Sequence, residues 1–283
     1  MKKNLVLAAL LGGSACAADW QAAQLPQAQE TTITSTHTGH SYRIQTATIG
    51  EAPPAGYPVL YLLDGDAYFP YALPLARTLL NPPGSGEQRA LALVGIGYPG
   101  GQLFDLAQRE RDFTPPAAAD GGKGGDAEAF ARFLDEELPP LLATRIAIDR
   151  QQQSLFGHSY GGLFALYHLY TRASMQTYHL SSPSLWWEDG RIHAFAGRLR
   201  APADSLTIRI SAGSGEQAAA GDEKRRRRAM VENARALATT LQARQSDTHF
   251  TLLEGENHGS AAFTVLKALL QRPAHQQPPR NLP

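Results

Sequence analysis

A serine hydroxyl becomes a nucleophile only when the backbone presents it and a base takes its proton. One stretch of this chain meets the first condition. Gly157-His158-Ser159-Tyr160-Gly161-Gly162 follows an apolar run ending at Phe156 and opens the helical run Leu163-Phe164-Ala165-Leu166-Tyr167. Glycines two residues either side of a serine, between a strand and a helix, form a G-x-S-x-G nucleophile elbow. Small residues at 157 and 161 let the turn lift the hydroxyl above the sheet edge. A helix beginning at Tyr160 aims its N–H groups and positive dipole end at the site. Without those flanks the same string reads only as a tight glycine turn.

The base must reach that hydroxyl from elsewhere in the chain. Where an elbow is used, the order is serine, acid, histidine, with the histidine after the last strand. There the chain reads Leu252-Leu253-Glu254-Gly255-Glu256-Asn257-His258-Gly259-Ser260. Of nine histidines, His258 is the one at that place. His249 falls inside a strand-like run, His275 in the tail, and His168 and His179 in regular elements. The acid that orients the histidine is sought in Ala212-Gly213-Ser214-Gly215-Glu216. Glu216 is the candidate, ahead of Asp222 and Glu223, and two alternatives stand beside it: an exposed loop glutamate, and a Ser–His dyad whose ring is held by a backbone carbonyl or water. A tetrahedral oxyanion also needs N–H donors, worth roughly 3–4 kcal/mol each. The amide of Tyr160 is one. The second comes from Asp64-Gly65-Asp66 after the central strand, and the N–H of Asp66 is preferred to that of Gly65.

These groups must be positioned by strands and helices, and the chain is long enough to supply them. Its 283 residues, 43% of them hydrophobic, suffice for one large α/β domain. Strand-like runs lie at 31–37, 42–49, 59–63, 91–96, 154–156, 177–181, 206–211 and 249–253. Helix-period segments lie between them at 71–80, 126–144, 161–172, 223–244 and 261–270. Such alternation predicts an α/β fold with a mostly parallel central sheet and helices on both faces. The first two strands have no helix between them, so they predict an antiparallel edge. The Pro/Gly-rich stretches 51–58, 81–86, 98–101 and 114–125 each separate two elements and read as loops, leaving a single domain over 18–283.

Composition narrows the function classes. Lys+Arg 26 against Asp+Glu 26 excludes the basic excess of a general nucleic-acid binder. No apolar run reaches the roughly 18 residues of a membrane span. The start reads as an address: Lys2 and Lys3, an apolar run from Leu5 to Leu11, then Ala15-Cys16-Ala17-Ala18. This predicts a secretory signal peptide over 1–17 and, with it, a periplasmic location. Gly-Ser-Ala-Cys also resembles a lipoprotein box acylated at Cys16, although Gly13 stands where that box normally has leucine. Cys16 is the one cysteine, so a cut after Ala17 leaves no thiol for catalysis, metal binding or a disulfide.

Five segments occur in a telling order: Tyr61-Leu62-Leu63-Asp64-Gly65-Asp66, Arg109-Glu110-Arg111-Asp112-Phe113-Thr114-Pro115, the elbow, Ser181-Ser182-Pro183-Ser184-Leu185-Trp186-Trp187, and Gly255-Glu256-Asn257-His258-Gly259-Ser260. Together they resemble the putative-esterase (esterase D-like) branch of α/β hydrolases. Within it they look most like periplasmic ferric-siderophore esterases acting on enterobactin and salmochelin. The resemblance spans about residues 30 to 270. It implies the α/β-hydrolase fold and cleavage of a trilactone of catechol-acylated serines, releasing iron. It also implies catalytic Ser159 and His258 and oxyanion amides at Asp66 and Tyr160. Members of this group are described as using a Ser–His pair without a firmly placed acid, which leaves Glu216 open. A carboxylesterase or thioesterase for other acyl groups would share the same machinery. A siderophore-binding protein would need neither Ser159 nor His258.

Such a substrate is anionic and aromatic. Arg109 and Arg111 are candidates for charge-assisted hydrogen bonds to catecholate oxygens, unless they pair with Glu110 and Asp112. Trp186 and Trp187 are candidates for stacking on the rings, unless they belong to the core. Lys224-Arg225-Arg226-Arg227-Arg228 reads as a solvated helical face or, alternatively, as an anion or partner patch. No cofactor is expected, and no His/Asp/Glu cluster has metal-ligand spacing; iron would arrive with the substrate.

Overall fold

A run such as Val59-Leu60-Tyr61-Leu62-Leu63 needs apolar cover on both faces. The computed structural model supplies it, and describes residues 24–271 apart from 83, 85–87, 120, 201–205, 218–220 and 245–246. Eight strands form one sheet: β1 (Gln29–Thr34), β2 (Ser41–Ile49), β3 (Tyr57–Leu63), β4 (Leu91–Gly97), β5 (Ile148–His158), β6 (Thr177–Ser181), β7 (Thr207–Gly213) and β8 (Asp247–Leu253). Their order is β1-β2-β4-β3-β5-β6-β7-β8. β1 pairs antiparallel with β2 and β2 antiparallel with β4, and every later pairing is parallel. The fold is the α/β-hydrolase fold, with the expected antiparallel edge.

The helices are α1 (Gly65–Leu80), α2 (Leu106–Phe113), α3 (Ala127–Arg132), α4 (Leu138–Ala143), α5 (Tyr160–Thr171), α6 (Glu223–Arg228), α7 (Met230–Gln242) and α8 (His258–Gln271). Alternate residues of β3 enter different cores. Val59, Tyr61 and Leu63 pack with Phe130 of α3, Phe164 of α5 and Ala234 of α7. Leu60 and Leu62 pack with Phe69 and Leu73 of α1 and Leu266 of α8. Each such buried aliphatic side chain contributes about 1.5–3 kcal/mol. The Tyr61 hydroxyl donates to Gln153 Oε1 at 3.0 Å, so its burial leaves no lone donor.

The helices depart from expectation where proline or a strained residue intervenes. α1 begins six residues before the expected position and runs through Pro70 and Pro74. Both are exposed, so the lost N–H groups lie on the solvent side, where they cost least. The segment expected as one helix over 126–144 is α3, a π turn (Phe133–Glu137) and α4. Pro139 and Pro140 have no N–H to continue the ladder, and the Leu138 amide instead reaches Phe133 O, five residues back. The segment expected over 223–244 breaks at Ala229, whose φ of 41° is left-handed. α2 and a kinked 3₁₀ segment (Trp187–Arg198) were not anticipated.

Candidate active site

The C-terminal ends of three adjacent strands carry strained residues. Asp64 after β3, Ser159 after β5 and Ser182 after β6 all have positive φ, at 55°, 58° and 43°. Side chains at such positions cost of order 1–3 kcal/mol each and persist where packing holds them. Ser159 links β5 directly to α5, and its N–H donates to Ser181 O at 3.0 Å. A Cβ at Gly157 would stand 2.1 Å from Gly161 O, so the elbow demands glycine there. The tight neighbour on the far side is Gly162, whose Cβ would meet Pro183 Cα at 3.0 Å. Gly161, expected along with Gly157 to need a small residue, would make only ordinary contacts, the nearest at 3.5 Å.

The strand ends bring three distant residues into one hydrogen-bonded line. Ser159 Oγ is 3.0 Å from His258 Nε2. His258 Nδ1 is 2.6 Å from Glu216 Oε2. Glu216 is buried in a 3₁₀ turn after β7, and its other oxygen accepts from Ser182 Oγ at 2.6 Å and Gly213 N at 2.8 Å. Burial alone would raise this carboxyl, but hydrogen bonds from His258, Ser182 and Gly213 hold it below its usual range. His258 begins α8 and is half exposed. Glu216 is therefore neither an exposed loop glutamate nor absent from the histidine.

Two further groups touch this line. Ser184 Oγ is 3.3 Å from Ser159 Oγ, and the Ser184 amide donates to Ser159 O at 3.1 Å. His158 packs its ring against His258 with centroids 4.7 Å apart and bonds Ser181 Oγ through Nδ1 at 3.1 Å. Burial, followed by the neighbouring His258, pushes the His158 imidazole down to about 3. Ser182, Ser184 and His158 lay inside segments noticed in the sequence, but nothing in their spacing assigned them contacts.

Tyr160 and Asp66 are the first residue of α5 and the second of α1. Their N–H groups belong to the first turn of a helix, which has no intrahelical acceptor for them. The Asp66 carboxylate points elsewhere, accepting from Tyr98 N at 3.2 Å and from Arg43.

The hydroxyl opens into a cleft of about 290 Å³ lined by Leu106, Arg109, Glu110, Ser159, Tyr160, Ser184, Trp186, Arg228 and His258. A larger hollow of about 560 Å³ lies between β1, β2 and the end of α4, but its lining holds no serine, histidine or cysteine. Four expected substrate contacts fare differently. Trp186 lines the cleft. Trp187 does not: it is 3% exposed and part of the core, because the chain turns inward at the start of the 3₁₀ segment. Arg109 borders the cleft, but its Nε and Nη2 grip Asp64 at 2.7 and 3.2 Å, and the ion pair is buried. Arg111 is spent on Asp112, at 2.6 and 2.8 Å, and is absent from the lining. Arg228, one of the run of cations at 224–228, lines the cleft. Among the described residues no group of His, Cys, Asp and Glu could hold a metal ion, and no helix is long and apolar enough to cross a membrane.

The chain as a whole is similar to several known proteins. The family model described as Putative esterase matches residues 35–266. The ferri-bacillibactin esterase BesA of Bacillus subtilis is 34% identical over 245 residues, covering 80% of this chain and 82% of that one. The apo-salmochelin esterase of Escherichia coli O6:H1 is 35% identical over 154 residues, covering 51% and 47%. Among solved structures, the BES protein from Bacillus cereus superimposes with a TM-score of 0.77 at 30% identity, covering 90% of this chain and 97% of that one.

Proposed function

The chain belongs to the Putative esterase family and is an ester hydrolase, and on that premise we propose that it is a periplasmic serine esterase that opens the trilactone of catecholate siderophores of the ferric-enterobactin type. The observation that carries the mechanism is the hydrogen-bonded line from Ser159 through His258 to Glu216. The ferri-bacillibactin esterase BesA, matched over four-fifths of the chain, and the shorter match to the apo-salmochelin esterase support the substrate class.

In this reading His258 Nε2 takes the Ser159 proton as Oγ attacks an ester carbonyl of the ring. Glu216 keeps Nδ1 protonated and stabilises the imidazolium that forms. The N–H groups of Tyr160 and Asp66 hold the oxyanion. His258 then gives its proton to the departing seryl oxygen as the ester C–O bond breaks, which opens the trilactone and leaves the acyl group on Ser159. Water, deprotonated by the same histidine, frees the acyl group from Ser159. Iron arrives with the siderophore, and opening the trilactone weakens the chelator so that the metal can be released.

The test incubates the mature chain and its Ser159→Ala variant with ferric and iron-free enterobactin, and follows products by chromatography. The wild type releases linear trimers or monomers and the variant releases none. Hydrolysis retained by Ser159→Ala would sink the mechanism. No cleavage of either form, alongside turnover of a simple nitrophenyl ester, would keep the serine hydrolase and discard the siderophore. In the same assay Glu216→Gln loses orders of magnitude in kcat, whereas a change under about threefold would favour a Ser–His dyad.

A further inference from the structure

The charges around the cleft are unevenly satisfied. Arg109 is neutralised by Asp64, and Glu110 faces Lys123 at 3.9 Å. On α6, Arg225 pairs with Asp222 and Arg226 with Glu223. Arg228 forms no ion pair among the described residues. It lies instead over the Trp186 ring, with Cζ 4.5 Å from the centroid. The ring attracts the guanidinium through its quadrupole and leaves N–H groups able to donate to a ligand. Arg228 also lines a second hollow of about 310 Å³, together with His258, Lys224, Arg225 and Asp222. It therefore stands where two hollows meet at the histidine. The strained break at Ala229 separates α6 from α7 directly after it. Leu106, 69% exposed, supplies an apolar wall of the cleft.

We propose that Arg228, braced by Trp186, is the residue that selects esters carrying an anionic aromatic group beside the scissile bond. This rests on the esterase reading above and reassigns charge recognition from the expected Arg109 and Arg111. A fixed cation without a carboxylate partner attracts an anion that enters the cleft, and the adjoining Lys224 adds to the field. Trp186 and Leu106 offer ring-sized apolar surface for the aromatic part.

Two aryl acetates that share one scissile bond separate charge from chemistry: 4-acetoxybenzoate, an anion, and methyl 4-acetoxybenzoate, its neutral counterpart. The readout is the anionic-to-neutral ratio of kcat/KM. Arg228→Gln lowers that ratio by about tenfold, the loss expected for one charge-assisted hydrogen bond. Arg228→Lys, which keeps the charge without the fork, retains an intermediate ratio. Raising NaCl from about 0.05 to 0.5 M lowers the wild-type ratio more than that of Arg228→Gln. If Arg228→Gln slows both esters equally, the arginine is structural and the proposal is overturned while the esterase stands. If Ser159→Ala still hydrolyses both esters, the esterase reading falls and takes this proposal with it.

Discussion

His158 and His258 lie ring against ring, yet the chemistry asks opposite things of them. His258 must become a cation each time Ser159 attacks, and a charged neighbour at 4.7 Å would oppose it. Burial keeps His158 neutral, with its value pushed down from 6.5 to about 3. That has a consequence for stability. Between those two values the unfolded chain binds a proton that the native chain refuses. Stability therefore falls as pH drops through this window. Glu216 acts lower. Its folded value is depressed below 4.5, so its contribution is complete above that pH and is lost only as pH falls further. Urea unfolding of wild type and His158→Asn between about pH 5 and 6.5 isolates the histidine. The wild type loses stability on acidification across that range and the variant loses less. Parallel curves would show that His158 is not held neutral.

At the scale of elements, α2 matters more than its eight residues suggest. Asp105 caps it by accepting from Gln108 N at 3.1 Å, and the helix carries Arg109 to the Asp64 carboxylate. Asp64 sits at the hinge between β3 and α1, fully enclosed, and burial pushes its carboxyl up to about 6 against the pull of Arg109. The arginine is further enclosed by the rings of Phe104, Phe113 and Tyr160, at 5.3, 5.9 and 5.7 Å. Arg109 is thus a positioning residue that ties the start of α1, where Asp66 lies, to the start of α5, where Tyr160 lies. Arg109→Met strands a buried carboxylate and costs about 3–5 kcal/mol. Arg109→Met with Asp64→Asn recovers much of that loss. Denaturation of both singles and the double closes the cycle, and simple additivity would show that the two side chains do not act as a pair.

At the scale of the whole molecule, every group at the site stands at one end of a single sheet. β3, β5, β6, β7 and β8 deliver Asp64, Ser159, Ser182, Glu216 and His258 to the same C-terminal edge, the usual place for ligands in parallel sheets. The expected signal peptide, with its cut after Ala17 and the rival lipid anchor at Cys16, lies outside the described residues. Export is nevertheless a prediction with a direct readout. Expressed in a Gram-negative host, the protein is recovered from the periplasmic fraction with Ala18 as its first residue by intact mass. A mature chain beginning at an acylated Cys16 would replace the periplasmic reading by a tethered one.

What could be read from the sequence was local. The elbow announces itself because strand, glycine turn and helix are consecutive. The eight strands are legible because their runs are alternating or β-branched, and some, such as Val59–Leu63, are continuously apolar. His258 is legible because chain order places it after the last strand. What needed the tertiary structure is set by partners far away in the chain. Whether Glu216 reaches His258 depends on how β7 and β8 pair in register. Arg109, Arg111 and Arg228 are the same residue type in similar charged runs, and only packing decides which is spent on a buried aspartate, which on its chain neighbour, and which is left over a tryptophan at the cleft. Trp186 and Trp187 are adjacent, and one turn of backbone sends the first to the cleft and the second into the core. Side-chain chemistry is written residue by residue, whereas burial and pairing belong to the surfaces that meet only when the sheet has formed.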